Sequence, residues 1–301
     1  MSPTPFELKV GTVSRTFFTV PIWAALSQGF FEREGLRVQL EIFGNASQVE
    51  PLCRGDMHIA VATPEAVLQN VVEGGPLRLL AGNADKMCHF LIAQPRFKRV
   101  EDLRGATIGI LNRREGTFFH LQALMERHGL RHPGDYEVVD TGGVPPRHQA
   151  LLEGRIDAGL QSIPWAYLEE EAGLSNLGDV SEVVPAWQFT TVNASRDWAT
   201  AHADETVRFL RALRAATDWI YREREACAEL VAREMGISVA HAARGWDYIT
   251  ARRVLTPDLS VDAAALEAVR RTQVAAGLLP AHAPSDPSHY TEPTYLRQAM
   301  A

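Results

Sequence analysis

Arg15 and Thr16 lie in a loop, SRTFF, whose composition and position predict a binding site for an anion. The loop follows an apolar run at 6–13 and precedes a helix that we expect to begin near Pro21. The first N–H groups of a helix have no partner within the helix and carry a partial positive charge, which suits a carboxylate, sulfonate or phosphate. Arg15 would add a bidentate donor. We therefore predict that Arg15, Thr16 and Phe17 contact a ligand; a solvated Arg15 beside a core Phe17 is the alternative.

A second loop, LNRREGTFFH, repeats this composition, and its Thr117 comes 101 positions after Thr16. It also carries Arg113, Arg114 and Gly116, and we expect one of the two arginines to face solvent. The segments GDMHIAVATPEAVL and GRIDAGLQSIPWAY are a further matched pair, with their first glycines 99 positions apart. Two matched units at nearly one offset indicate a duplicated α/β lobe. The same anion chemistry is therefore predicted twice.

Further polar and aromatic side chains follow other apolar runs and are candidates for ligand contacts. Glu65 opens a predicted helix in ATPEA, where it can complement the helix dipole or receive a ligand amine. Trp165 in QSIPWAY can stack on a flat ligand or pack the two lobes together. With the arginines, these side chains favour a small organic anion with an apolar or aromatic body. The further candidates are Asn45, Thr63, Glu65, Gln161, Ser162, Trp165 and Trp187.

The bulk composition excludes several classes of partner. A net charge of −7 over 301 residues argues against a nucleic-acid partner, which needs a basic face. No apolar run reaches the roughly 18 residues that span a bilayer, so we expect no membrane insertion. The three cysteines have no metal-ligand spacing, and we expect no metal and no cofactor. MSPTPFELKV lacks the features of a secretory leader, so the chain as written is expected in the cytoplasm, or in the periplasm if a leader has been removed.

Strand-length apolar runs alternate with helix-like segments in both halves of the chain, which predicts two α/β lobes with mainly parallel sheets. Two further runs, at 89–94 and 187–193, lie where the chain would cross between lobes. The predicted division is 1–87 for the first part of lobe I, 88–191 for lobe II, and 192–301 for the completion of lobe I and the C-terminal helices. Open α/β sheets bind ligands at the carboxyl ends of their strands, so two facing edges would form a cleft.

The stretches VPIWAALSQGFFEREGLRVQLEIFG, LCRGDMHIAVAT and ALLEGRIDAGLQSIPWAY resemble the type II periplasmic-binding-protein-like superfamily. The resemblance is to its thiamine-pyrimidine synthases and to the sulfonate-, taurine- and pyrimidine-precursor-binding components of ABC transporters. It implies an α/β fold of two Rossmann-like lobes, joined by two crossover strands and followed by C-terminal helices, with a ligand clamped between the lobes. In that superfamily the turn that matches residues 113–117 commonly grips the anionic part of the ligand.

This superfamily also contains enzymes, so the fold leaves the function open. Fungal thiamine-pyrimidine synthases carry a Lys and a His just after the equivalent of GDM and a cysteine-rich motif, and aromatic desulfinases carry a Cys in the first loop; this sequence has neither pattern. We therefore predict a monomeric solute-binding protein for a small organic anion, an aromatic or heteroaromatic carboxylate, sulfonate or pyrimidine, which an ABC permease would take up. The alternative is a cytoplasmic, cofactor-free decarboxylase or dehydratase of an aromatic acid, with His89, His120 or Glu65 as general acid.

Overall fold

The protein is built from two five-stranded sheets with helices, and the computed structural model describes residues 4–184 and 186–301. Lobe I is the first sheet with the helices packed on it, and lobe II is the second sheet with its helices. The strands of the first sheet are β1 (Phe6–Thr12), β2 (Leu36–Ile42), β3 (Ile59–Ala62), β4 (Leu77–Ala84) and β10 (Thr190–Ser195). Those of the second sheet are β5 (His89–Ala93), β6 (Thr107–Ile110), β7 (Glu137–Asp140), β8 (Ala158–Ser162) and β9 (Ser175–Asp179).

The two sheets have the same topology. Their spatial orders are β2-β1-β3-β10-β4 and β7-β6-β8-β5-β9. The first three strands of each sheet are parallel, and the fourth, β10 or β5, runs antiparallel to its neighbours. Both antiparallel strands directly follow a crossing between the sheets, as the apolar runs at 89–94 and 187–193 predicted. The domain boundaries at 87 and 191 stay a prediction.

The helices follow the strands in the predicted alternation and then form a C-terminal group. A one-turn 3-10 helix at Phe17–Thr19 precedes the first of them. The helices are α1 (Val20–Ser27), α2 (Phe30–Arg33), α3 (Val49–Arg54), α4 (Glu65–Val72), α5 (Gly116–Arg127), α6 (Val144–Leu152), α7 (Trp165–Glu171), α8 (Arg196–Ala201), α9 (Ala203–Arg222), α10 (Arg224–Met235), α11 (Val239–Ala251), α12 (Ala263–Ala275) and α13 (Thr294–Met300).

The apolar pattern of each strand matches its place in the sheet. All four residues of β3 are buried, which is typical of a central strand covered by helices on both faces. The edge strand β2 alternates instead: Leu36 is buried, Val38 and Leu40 are half-buried, and Arg37 and Gln39 are exposed. This alternation places one face of β2 on the core and the other in solvent.

The structure has two hydrophobic cores, which stabilise the lobes. The larger joins the first sheet to the C-terminal helices, and α9 packs against α1, α2 and α13. The smaller lies within the second sheet and its helices. In the described parts of the chain, no helix combines the length and apolarity that crossing a membrane requires.

Candidate binding cleft between the lobes

A cavity lies between the sheets, at the carboxyl ends of their parallel strands. Its empty volume is about 520 Å³, counting the open space at its mouth. The loops after β1 and β3 reach it from lobe I, and the loops after β6 and β7 reach it from lobe II. Because β5 and β10 are antiparallel to these neighbours, they reach it with their first residues, His89 and Thr190. The shared topology thus places six chain segments around one space.

Thr16 and Thr117, which occupy matching places in the two repeated loops, line this same cavity. Thr16 is buried just before the 3-10 turn, and its side chain makes no capping hydrogen bond. Thr117 is buried in the first turn of α5. The duplication seen in the sequence therefore brings its two copies together at one site.

An aromatic wall is formed by Phe18, Phe189 and His89. The Phe18 ring stacks on the His89 imidazole with 5.9 Å between centroids and tilts against the Phe189 ring at 4.5 Å. His89 is buried, and this desolvation, assisted by the charge of Arg147, lowers its pKa well below the ordinary value. The imidazole is therefore neutral at physiological pH and can face an apolar ligand body.

Arg147 brings a positive charge to the cavity although its side chain is only 2% exposed. Its Nε donates to the carbonyl oxygen of Leu160 at 2.9 Å and to Oε1 of Gln161 at 3.3 Å, and its Nη1 donates to the carbonyl oxygen of Gly142 at 2.9 Å. These bonds leave Nη2 without a partner among the described residues. Burial lowers the pKa of Arg147 to about 10, while nearby carboxyl groups oppose the shift. The group stays charged at neutral pH and is held rigidly enough to pair with an anion.

Glu115 brings a carboxyl group to the cavity and caps helix α5. Its Oε2 accepts a hydrogen bond from the Thr117 N–H at 3.2 Å, and its Oε1 accepts one from the Thr117 hydroxyl. Burial raises the pKa of Glu115, whereas the bonds from Thr117 and the charge of Arg147 lower it. An acceptor is favoured here because the first N–H groups of a helix lack partners.

A second, wider cavity adjoins the first and shares Thr63 and Glu115 with it. The first is called the inner cavity and the second the outer cavity. Its empty volume is about 1250 Å³, and Asn45 and Arg114 lie in its wall. Arg114 belongs to lobe II, and its Nη2 donates to Oε1 of Gln69 in lobe I at 2.9 Å. This hydrogen bond joins the two lobes at the side of the cleft.

Glu65 is buried at the start of α4 and also lines the outer cavity. Its carboxyl oxygens lie near Thr63 and the Gly116 backbone but make no hydrogen bond of ordinary geometry to a described residue. Burial, with a smaller contribution from the Glu115 carboxyl, raises the pKa of Glu65 to about 8, so the group is mostly protonated at neutral pH. In the part of the chain that the structure describes, no three His, Cys, Asp or Glu side chains are grouped as a metal site requires.

Gly116 allows α4 and α5 to approach each other across the cleft. A Cβ atom there would lie 3.0 Å from Oε1 of Glu65 and 2.7 Å from Nε1 of Trp187. Since real Cβ atoms essentially never come within 3.0 Å of another group, a larger residue would displace one of these side chains. Gly116 therefore serves the contact between lobes.

Several of the predicted ligand contacts do lie on the two cavities. Both lobes contribute such residues to the inner cavity, and both contribute them to the outer cavity. Their contact with a ligand stays a prediction. They are Thr16, Asn45, Thr63, Glu65, Arg114 and Thr117.

Arg15 and Arg113 face away from both cavities, which is the solvated alternative stated for Arg15 and the solvent-facing place expected for one of Arg113 and Arg114. The Arg15 guanidinium donates to the carbonyl oxygen of Glu234 at 3.0 Å and lies 3.2 Å from its carboxylate, with 52% of the side chain exposed. The Arg113 side chain is 53% exposed, donates to the carbonyl oxygen of Val138 at 2.8 Å and lies 3.9 Å from the Asp140 carboxylate. Each guanidinium finds acceptors at the surface of its own lobe, so it keeps its hydration instead of being desolvated in the cleft.

Phe17 and Gln161 lie behind the cavity. The Phe17 ring is buried in the core of lobe I, so close to Gly245 of α11 that a Cβ there would be 2.5 Å from the ring. This is the core position named as the alternative for Phe17. Gln161 is fully buried, and its amide oxygen accepts the hydrogen bond from Nε of Arg147. Its role is to hold the arginine that does face the cavity.

Three other predicted contacts also lie outside the two cavities. Ser162 is fully buried at the end of β8. Trp165 is half-buried and packs on the larger core, with its ring 4.8 Å from that of His148. Trp187 is buried and meets the edge of the His120 ring at 4.4 Å. Both tryptophans therefore serve packing here, which was the alternative stated for Trp165.

The strongest charged group of the cavity, Arg147, was not among the candidates. It lies in TGGVPPRHQALLEG, one turn into the helix that follows β7. The sequence signal that could have identified Arg147 was its place shortly after a predicted strand, which it shares with the loop arginines Arg15 and Arg113. Phe18, Phe189 and Glu115 were also missed, and His89 was expected only as a general acid of the enzymatic alternative. The aromatic residues and Glu115 are sequence neighbours of candidates, so the site was located more accurately than its individual side chains.

Comparison with known proteins agrees with this architecture. A model of the family described as NMT1/THI5 like matches residues 17–226. The 4-amino-5-hydroxymethyl-2-methylpyrimidine phosphate synthase of Uromyces fabae is 26% identical over 227 residues, which cover 69% of this chain and 64% of that protein. The chain spans about two thirds of the length of the curated relatives it matches.

Two solved structures of binding proteins share the fold. The ligand binding component of an ABC-type import system from Staphylococcus aureus has a TM-score of 0.79 at 14% identity, covering 98% of this chain and 99% of that one. The periplasmic aliphatic sulphonate binding protein SsuA from Escherichia coli has a TM-score of 0.73 at 17% identity, covering 96% of this chain and 93% of that one. The predicted periplasmic-binding-protein fold is thus confirmed.

Proposed function

Because the chain belongs to the NMT1/THI5-like family, we propose that it is a solute-binding protein that clamps a small organic anion between its lobes. The observation that carries this proposal is the buried Arg147 guanidinium, whose Nη2 has no partner among the described residues. Burying a charge is costly unless it is paired, so a free donor of this kind in a cavity favours an anionic group in the ligand.

The rest of the inner cavity suits an apolar or aromatic ligand body. Phe18, Phe189 and the neutral His89 offer ring faces and edges, and Val61 and Val144 add aliphatic surface. An aromatic carboxylate or sulfonate, or a pyrimidine that carries an anionic group, satisfies both requirements.

Uptake is the role that follows from this proposal. The fold is shared with the ligand binding component of an ABC-type import system. In such a role the chain would act as a monomer in the periplasm and deliver its ligand to a permease. The two segments at 85–88 and 186–189, which lead into β5 and β10, are the places where hinge motion would open and close the cleft.

Titration calorimetry tests the proposal directly. The panel consists of aromatic carboxylates, aromatic sulfonates and pyrimidines, with aromatic amines and neutral amides of the same size as the contrast. At least one anion is expected to bind and to raise the melting temperature, because a ligand that binds only the folded state stabilises it. Binding confined to cationic or neutral compounds would contradict the proposal.

A cofactor-free enzyme on the same fold is the second candidate. The 26% identity to a pyrimidine phosphate synthase favours it, as do two carboxyl groups in the cleft, Glu65 and Glu115, whose raised pKa values suit a general acid. Mass spectrometry of any bound compound after prolonged incubation distinguishes the two. Recovery of the unchanged compound supports binding, and loss of carbon dioxide or water from it supports catalysis.

A further inference from the structure

Glu115 occupies the place at which the repeated loop of lobe II was expected to receive the ligand's anion. Its two carboxyl oxygens accept hydrogen bonds from the N–H and the hydroxyl of Thr117. Those are the backbone and side-chain donors that an anion would otherwise use at the start of α5. The protein's own carboxylate thus takes the position of an external one.

The remaining hydrogen-bonding capacity of this wall is that of an acceptor. The Thr117 hydroxyl donates its proton to Glu115, so only its lone pairs remain for a ligand. Each oxygen of Glu115 accepts a single hydrogen bond among the described residues and has a second lone pair available. Both groups line the inner cavity, and a ligand that meets them must therefore present N–H or O–H donors.

The charges in the cavity support the same conclusion. In the inner cavity Arg147 contributes a positive charge and Glu115 a carboxyl group. Burial raises the pKa of Glu115, but the hydrogen bonds from Thr117 and the charge of Arg147 lower it and so favour its ionised form. Glu65 lies beside Glu115, and Glu169 lies behind Arg147, where it accepts from Gln161 and His148. A ligand with only negative charge would be attracted by Arg147 and repelled by Glu115. A ligand with both charges would satisfy both groups.

We propose that Glu115 is a specificity-determining residue and that the ligand has an N–H donor beside its anionic group, on an amine that is either charged, as in a zwitterion, or neutral. The anionic group pairs with Nη2 of Arg147, and the N–H donor meets the carboxylate of Glu115 and the lone pairs of Thr117. This inference rests on the proposed function, since it assigns a second requirement to the same ligand. It excludes plain sulfonates and plain carboxylates as preferred ligands.

Matched pairs of compounds that differ only in one amino group provide the test. Suitable pairs are L-phenylalanine with 3-phenylpropionate, phenylglycine with phenylacetate, and 2-aminobenzenesulfonate with benzenesulfonate. For at least one pair the protein is expected to bind the amino compound at least about tenfold more tightly, which corresponds to about 1.4 kcal/mol. In E115Q this ratio should fall to near one, because the amide carries no charge and offers a donor.

E126Q is the matched control, because Glu126 is exposed on the same helix and lies away from the cleft. It should keep the full preference. E115D serves as a second variant if E115Q is unstable. It should keep part of the preference, because aspartate keeps the carboxyl group on a shorter side chain. The ratio of two affinities, moreover, does not depend on the overall stability of the variant.

The outcomes separate this inference from the proposed function. Tighter binding of the plain anions, with a ratio unchanged in E115Q, would leave the proposed function intact and overturn the role of Glu115. Binding of amines without an anionic group, lost in E115Q, would support Glu115 as the selecting residue while contradicting the anion requirement. A preference for amino compounds that survives in E115Q would also overturn the inference.

Discussion

The two repeated loops occupy the same place in their lobes and yet contribute opposite things to the cleft. After β1, Arg15 turns outward to Glu234, and Thr16 faces the cavity. After β6, Glu115 turns inward and is bound by Thr117. Among the described lining residues of the inner cavity, the charged groups all come from lobe II, whereas lobe I contributes hydroxyl, aliphatic and aromatic side chains.

This asymmetry indicates a division of labour between the lobes. The polar head of a ligand would bind to lobe II, where Arg147 is already desolvated and held by three acceptors. Such a preorganised group loses little side-chain entropy on binding. Lobe I would then close over the ligand body, at the cost of desolvating only groups that carry no charge. Four substitutions test this division, starting with the largest expected effect.

Arg147→Gln should abolish most of the binding. The variant lacks the charge that pairs with the ligand in a buried, hydrogen-bonded contact. The affinity for the best anionic ligand, measured by calorimetry, is therefore expected to fall about 100-fold, or by about 2.7 kcal/mol. Arg113→Gln is the control, since it removes an arginine of the same lobe that faces solvent. If both variants bind equally well, the charged head group does not sit on lobe II as described. Arg147→Lys, which keeps the charge, should retain more affinity than Arg147→Gln.

Glu65→Gln should flatten the pH dependence of stability, because the acidic group of lobe I is neutral when buried. Its pKa is raised to about 8 in the folded protein, so its contribution to stability is fully present below the unfolded pKa and is lost as the pH rises through 8. Between pH 6 and pH 8 the unaltered protein should lose about 2 kcal/mol more unfolding free energy than the variant.

Urea denaturation at the two pH values measures this difference, and Glu73→Gln, at an exposed position just after α4, is the control. An identical pH dependence in the unaltered protein and Glu65→Gln would show that this carboxyl is charged in the cleft. Lobe I would then contribute a charge, and the contrast between the lobes would fail.

Phe18→Leu should weaken binding moderately, because lobe I contributes ring contacts. An aromatic contact adds about 1 kcal/mol beyond burial, so a loss of about fivefold in affinity is expected. Phe17→Leu alters the neighbouring ring, which packs in the core against Gly245. That variant should lower the melting temperature and leave the affinity unchanged. The reverse result, affinity lost in Phe17→Leu alone, would place the ligand elsewhere.

Arg15→Gln should have the smallest effect. The ion pair of Arg15 with Glu234 is partly exposed, and pairs of this kind contribute about 0–1 kcal/mol to stability. Ligand affinity should not change measurably in calorimetry, at low or high salt. A clear loss of affinity would mean that Arg15 swings into the cleft when the ligand binds, and that lobe I does supply charge.

The sequence was sufficient to predict the architecture. Alternating strand and helix patterns, the two matched units and the apolar crossing segments predicted two α/β lobes and the place of the cleft. Thr16 and Thr117 were predicted to lie on one cleft, and both line the inner cavity. These predictions succeed because periodicity reports which elements form, and parallel strands necessarily bring their carboxyl ends to one edge.

The direction of individual side chains was much harder to predict. Arg15 lies in the predicted loop but faces solvent, which was its stated alternative. Arg113 is the member of its pair that faces solvent, and Arg147, which does face the cavity, was overlooked. Arg15 is held by Glu234, which is 219 positions away in the chain. Arg147 is held by the nearby carbonyl group of Gly142 and by that of Leu160 in β8, which only the packing of α6 on the second sheet brings within reach.

The sequence by itself determined the two-lobed fold, the duplication and the loops that border the cleft, because these follow from local patterns of apolar and turn residues. Only the tertiary structure decided which charges lie in the cleft. A guanidinium or carboxyl group turns toward the acceptors and donors that distant segments offer, and the cost of desolvating it outweighs any local preference. For this reason Glu115 and Arg147 face the cavity, whereas Arg15, in a loop of matching position, does not.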